Sequence, residues 1–137
     1  IILDLFAGSG SFGLECLSRG AKKVTFIENY SKSLSILRKN INSIDANKNS
    51  YVVEKDCFDF VLENNQFQNK FNIVFLDPPY KEKRINPLID KIKENKFYKE
   101  NGIMIIHRHK KDNLMISKKI HILDERIYGI SKIIIAN

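Results

Sequence analysis

Ile1-Ile2-Leu3-Asp4-Leu5-Phe6-Ala7-Gly8-Ser9-Gly10-Ser11-Phe12-Gly13 is the stretch that decides the fold. Its first six residues form an apolar run that does not alternate with polar ones, the pattern of a strand buried on both faces. The run enters a G-x-G-x-x-G turn, and Leu14–Ser18 behind it reads as a short helix closed by Gly20. Strand, glycine turn and helix in that order open a nucleotide-binding α/β unit, because glycines let the backbone turn sharply and approach a ligand closely. The first strand starts at the first residue, so the natural protein is expected to extend upstream of residues 1–137.

The rest of the chain repeats that alternation. Apolar runs occur at Lys23–Glu28, Tyr51–Val53, Phe71–Leu76, Ile103–Ile106, Ile120–Leu123 and Ile130–Ile135. Between them, Ser31–Ile44 sets Leu34, Leu37, Ile41 and Ile44 on one helical face, and Arg84–Asn95 does the same with Ile85, Leu88, Ile89 and Ile92. Pro87 falls early enough in that helix to be tolerated. Phe58–Glu63 reads as a weaker helix, and Asn64–Lys70 as a polar loop. The order predicts a doubly wound, mostly parallel α/β sheet in one domain spanning residues 1–137. Its last two strands turn near Tyr128-Gly129, which makes a C-terminal antiparallel hairpin.

At the glycine loop two nucleoside ligands remain open. Glu28 ends the second strand about 20 residues beyond Gly8, where a carboxylate accepts from ribose hydroxyls. A dinucleotide would lay its pyrophosphate on the helix N-terminus. S-adenosylmethionine has an adenosine but no phosphate, and carries an ammonium and a sulfonium that nearby carboxylates attract. Asp4 before the loop and Asp56 after the third strand favour the second ligand, although Asp4 could equally brace the turn. Asp56 could accept from the adenine amino group, with Phe6 or Phe58 packed near the adenosine. Ala7, Gly8, Gly10, Asn29 and Cys57 flank these positions and complete the expected cofactor contacts, together with Asp77.

Asp77-Pro78-Pro79-Tyr80 separates the two. It follows the strand Phe71–Leu76, at the end of the sheet where open α/β folds bind ligands. Two prolines stiffen the chain and remove two donors, leaving carbonyl oxygens as acceptors. An exocyclic amine on a nucleobase is a poor nucleophile, since its lone pair is delocalised into the ring. A carboxylate and a carbonyl that accept both N–H protons favour a pyramidal nitrogen and free that lone pair. These bonds strengthen as positive charge develops, which is the differential stabilisation catalysis needs. Tyr80 offers a face on which an extruded base stacks. Asp77, Pro78, Pro79 and Tyr80 are therefore the candidate catalytic residues.

Composition bounds the partners. The 137 residues carry a formal net charge of +7, which favours an anionic partner such as RNA or DNA. Two cysteines, Cys16 and Cys57, make no disulfide framework and suit a reducing, cytoplasmic setting. No apolar run is long enough to span a bilayer. His107, His109 and His121 lack the spacing of a zinc site, so no metal is expected and a surface or near-strand role is read for each. Lys81, Lys83 and Arg84 follow the Asp-Pro-Pro-Tyr loop, and Arg108, Lys110 and Lys111 follow the fifth strand. With Arg126 and Tyr128 near the hairpin, they form the expected rim for nucleic-acid phosphates, RNA-binding if the partner is RNA.

The segment Asp4–Ala21, DLFAGSG.FGLE.LSRGA in outline, resembles the first motif of the RsmD-like bacterial 16S ribosomal RNA guanine-N2 methyltransferases. Glu28, Asn40, Asp56, Asp77–Tyr80 and Tyr128-Gly129 also match that family's pattern, and the likeness runs over essentially the whole chain. It implies a seven-stranded Rossmann-like methyltransferase fold and S-adenosylmethionine as donor, leaving S-adenosylhomocysteine, without a metal. It further implies methylation of guanine N2 in small-subunit ribosomal RNA; the expected partner is that RNA or its ribonucleoprotein, and the chain is expected to act as a monomer. The family has a basic segment ahead of the first strand, a part that residues 1–137 do not include. Its fourth motif often ends in Phe where Tyr80 stands, and DPPY also occurs in adenine-N6 methyltransferases. An adenine-N6 enzyme is therefore one alternative, and a catalytically silent RNA-binding or cofactor-sensing module is another.

Overall fold

The structure is a computed structural model that describes residues 1–137, apart from the Asn65 side chain. Seven strands form one sheet in the order β3-β2-β1-β4-β5-β7-β6. They are β1 (Ile2–Leu5), β2 (Val24–Glu28), β3 (Ser50–Glu54), β4 (Phe71–Leu76), β5 (Tyr98–His109), β6 (Ile122–Tyr128) and β7 (Ser131–Ala136). The first five pair in parallel, whereas β7 is antiparallel to both β5 and β6. This is the doubly wound arrangement with a closing hairpin that the alternation predicts. No helix among the described residues is long and apolar enough to cross a membrane.

The helices are α1 (Ser11–Ser18), α2 (Ser31–Ser43), α3 (Cys57–Glu63) and α4 (Ile85–Glu94). Because strand side chains alternate, β1 and β2 feed two cores. Leu3, Leu5 and Ile27 pack with Phe60 and Val61 of α3 and Ile85, Leu88, Ile89 and Ile92 of α4. Ile2, Val24 and Phe26 pack with Leu37 and Ile41 of α2, against Leu14 and Leu17 of α1. Gly13 makes the second packing possible, since a Cβ there would lie 2.3 Å from the Phe26 ring. The third glycine of the motif therefore serves helix-on-strand contact. Gly20, at φ +95°, ends α1 by donating to the Leu17 carbonyl while Ala21 donates to that of Cys16.

Two strands differ from their sequence readings. β5 starts at Tyr98, well before Ile103, with a register shift opposite Phe71–Ile73 that the polar Lys99-Glu100-Asn101 stretch conceals. β6 runs through Asp124-Glu125-Arg126 to Tyr128 and is almost wholly exposed. An edge strand has little to bury, and charge on it guards against further pairing, so its apolar signal is weak.

Candidate active site

The loops after β1, β2 and β4 meet the carboxyl end of β5 around a cavity of about 560 Å³. Gly8 and Phe6 line one wall, Glu28 and Asn29 a second, and Asp77, Pro78, Pro79 and Tyr80 the third, with His107 from β5. Of the residues expected to hold the donor, Phe6, Gly8, Glu28 and Asn29 thus share a space with Asp77–Tyr80.

The glycine loop is built from backbone bonds. Phe6, Gly8 and Gly10 all have positive φ (61°, 57° and 83°), and Gly10 N–H closes the turn on the Ala7 carbonyl at 2.8 Å. One Glu28 oxygen accepts from Gly8 N–H at 2.8 Å, while the other accepts from Asn29 and Tyr30 N–H, each at 2.8 Å. Asn40 adds a bond from Nδ2 to the Ser9 carbonyl at 2.9 Å. At Gly8 a Cβ would project into open space toward the cavity, meeting only the Phe6 carbonyl at 4.0 Å. An open glycine backbone, two half-exposed carboxylates and aromatic faces suit a nucleoside that carries positive charge.

Several residues expected to contact the cofactor do not line this cavity. Asp4 is 1% exposed and accepts from Gly13 N–H at 3.0 Å, so it braces the loop from beneath. Cys57 is also buried; its sulfur accepts from Phe6 N–H, and burial pushes the thiol well up from its ordinary range. Asp56 caps α3 through Phe58 and Asp59 N–H, with Asn29 Nδ2 3.5 Å from its other oxygen. The expected adenosine neighbour Phe58 is covered by the Arg84 guanidinium at 3.8 Å and touches Phe6 edge-on, and it lines a separate groove. Gly10 packs on Leu37 and Ala7 is buried, so both shape the loop without lining the cavity.

Burial raises the Asp4 carboxyl to about 8 from 3.8, the Gly13 bond opposing and the Asp77 and Glu28 charges adding. The folded chain therefore holds a proton that the unfolded chain has lost across that window. The resulting stability is complete below about pH 4, declines as pH rises toward 8, and is flat above it. Asp4→Asn is expected to remove this slope. Melting curves from pH 5 to 9 should show the variant gaining on the wild type as pH rises, and parallel curves would mean an ionised Asp4.

The loop after β4 is held from β5. Arg108, placed on the RNA rim by its sequence position, is 3% exposed. Its guanidinium pairs with Asp112 and donates to the Pro79 carbonyl at 3.2 Å, Tyr80 at 3.3 Å and Glu82 at 3.4 Å. Arg108 is thus the internal brace of the loop, and its charge is spent there. The Pro79 carbonyl also accepts from Glu82 N–H, so it turns inward, contrary to the outward-facing carbonyls expected of the prolines. Pro78 keeps a carbonyl without a protein partner among the described residues. Tyr80 stays 56% exposed, with its ring edge-on to His109.

His107 was missed by the sequence reading, which gave it a surface or near-strand role. It lies beside Asp77 with Nδ1 2.8 Å from the carboxylate. Register would have found it, since Leu76 pairs with Ile106 and the next residues on the two strands are Asp77 and His107.

Of the remaining basic residues, Lys81, Lys83, Lys110 and Lys111 are exposed. Lys81 and Lys83 border a second hollow of about 460 Å³ that shares Tyr80 with the first cavity. Arg84 is tied to Glu82 at 2.9 Å as well as stacked on Phe58. Arg126 bonds Asp124 at 2.7 Å, while Tyr128 stands exposed at the same rim.

A family model described as "Conserved hypothetical protein 95" matches residues 1–137. The chain is 36% identical over 129 residues to the Ribosomal RNA small subunit methyltransferase D of Haemophilus influenzae, covering 93% of this chain and 66% of that protein. It is 32% identical over 126 residues to the protein of the same name from Buchnera aphidicola of Acyrthosiphon pisum, covering 91% and 64%. Thus the chain spans about two thirds of the length of these curated relatives. The solved structure of a conserved hypothetical protein from Streptococcus pyogenes superposes with a TM-score of 0.87 at 29% identity, covering 98% of this chain and 83% of that one.

Proposed function

This chain belongs to the Conserved hypothetical protein 95 family, and from that membership we propose that it transfers a methyl group from S-adenosylmethionine to the exocyclic N2 of a guanine in small-subunit ribosomal RNA. The observation that carries the proposal is the shared cavity: the Asp77–Tyr80 loop faces the Gly8–Glu28 wall across it. The name carried by two relatives, Ribosomal RNA small subunit methyltransferase D, supports the substrate class.

Gly8, Glu28 and Asn29 are the residues that would hold the donor's adenosine and amino-acid parts. When bound, S-adenosylmethionine supplies an electrophilic methyl group on a positively charged sulfur. Asp77 and the Pro78 carbonyl accept the two N–H protons of the target amine, turning its lone pair into the cavity. Tyr80 stacks on the extruded base and keeps that nitrogen at the height of the carboxylate. Arg108 holds the loop still while this happens, so little reorganisation is needed at the moment of reaction. No step requires a metal.

The test is transfer of a labelled methyl group to naked small-subunit RNA, assembled small subunits and duplex DNA, followed by nucleoside analysis. N2-methylguanosine from RNA or subunits is the expected product. N6-methyladenine would move the protein to the adenine-specific alternative, and no product would leave the silent module. Lys81→Ala with Lys83→Ala should weaken RNA binding and lower the slope of log affinity against log salt by about 1.4, at about 0.7 per charge on a single strand. An unchanged slope would remove these lysines from the RNA surface.

A further inference from the structure

We infer that His107 is a positioning residue for the transfer, holding one oxygen of Asp77 so that the other stays turned toward the target amine. The inference rests on the acceptor role proposed for Asp77. Its own basis is the geometry of β4 against β5. Leu76 and Ile106 are register partners, so the chain delivers residues 77 and 107 side by side at the carboxyl edge of the sheet. There His107 Nδ1 lies 2.8 Å from Asp77 Oδ1, the one hydrogen bond the Asp77 carboxylate makes among the described residues.

Asp77 needs such a partner. Its side chain is 46% exposed, and an unpartnered carboxylate at that exposure would rotate freely and spend its lone pairs on water. An ionised carboxylate only accepts, so the bond requires the proton on Nδ1. In the neutral ring Nε2 is then an acceptor, within a side chain that lines the same cavity. The neighbouring Arg108 works on the other half of the loop, fixing backbone carbonyls of Pro79 and Tyr80. Consecutive residues of β5 thus hold the loop twice, one by its catalytic side chain and one by its main chain.

The experiment compares wild type, His107→Ala and His107→Asn, whose amide N–H replaces the Nδ1–H. His107→Ala is expected to lower kcat about 10–100-fold, the cost of a carboxylate displaced by about 1 Å. KM for RNA and for S-adenosylmethionine should change less than about threefold, since the groups binding either are untouched. His107→Asn should recover most of the lost kcat. Full kcat in the alanine variant, a loss confined to KM, or no recovery with asparagine would overturn the inference. So would a fall in thermal stability that accounts for the whole loss, because the role would then be structural. Nitrogen NMR of the imidazole supplies an arm that needs no activity. The Nδ1–H tautomer is expected in the wild type and its preference should vanish in Asp77→Ala; an Nε2–H tautomer in the wild type would overturn the pairing. If the wild type methylates no nucleic acid, the functional reading fails while the tautomer still decides the bond.

Discussion

Replacing Asp77 with alanine is expected to slow methyl transfer by about 10²–10³-fold, the range found when one preorganised transition-state partner is removed. The carboxylate lines the same cavity as the glycine loop, and its one protein bond among the described residues comes from His107. Charge on the amine nitrogen grows only as the new bond forms, so the lost interaction belongs to the transition state and not to the bound substrates. Affinity for S-adenosylmethionine should stay within several-fold, because the bonds that shape the donor side run through Glu28, Asn40 and the loop backbone. Single-turnover transfer set against equilibrium binding separates the two. An equal loss in both would make Asp77 a binding residue for the donor.

Arg108→Ala is expected to cost about 3 kcal/mol of stability, at the lower end for breaking a buried charged pair because Asp112 is only partly buried. The Tyr80 and Glu82 carbonyls and the Asp112 carboxylate lose their guanidinium donor together, and the Pro79 carbonyl keeps only the Glu82 N–H. For a chain of this size that loss lowers Tm by about 10 °C. Arg108→Lys keeps the charge but reaches fewer acceptors than the planar fork, and should recover only part of the loss. The alternative role on the RNA rim predicts something else. If either variant melts like the wild type yet binds RNA with a shallower salt slope, Arg108 contacts phosphate and not the loop.

How far the sequence goes is visible in those two residues. Asp77 is legible because Asp-Pro-Pro-Tyr is a local pattern, and what a strand-end loop offers a ligand depends on neighbours in sequence. The strands Ile2–Leu5 and Phe71–Leu76 and the helices on either side are legible for the same reason, since burial on both faces leaves an unbroken apolar run. Arg108 is not legible. It follows an apolar strand and precedes two lysines, so composition makes it part of a basic cluster. Only the pairing of β4 with β5 turns it inward. The same holds for Asp4 and Cys57, which look like ligand groups by position and are consumed in supporting the loop. The cover that Arg84 lays on the Phe58 ring is not legible either, since the two residues lie 26 apart in sequence. β6 failed because an edge strand buries too little to leave a period.

The place of β1 between β2 and β4 has a consequence for how the protein is made. By the time Glu54 is complete, β2 has both of its neighbours and β1 has one, all from nearby sequence. The far edge of β1 has none, because its partner begins at Phe71. Synthesis of the intervening stretch at 5–20 residues per second leaves Ile2–Leu5 without that neighbour for roughly 3–14 s. During this interval a short apolar strand presents open hydrogen-bonding groups to any extended segment that reaches it. The seam that brings the glycine loop and the Asp77–Tyr80 loop together is thus also a place where the nascent chain is open to mispairing.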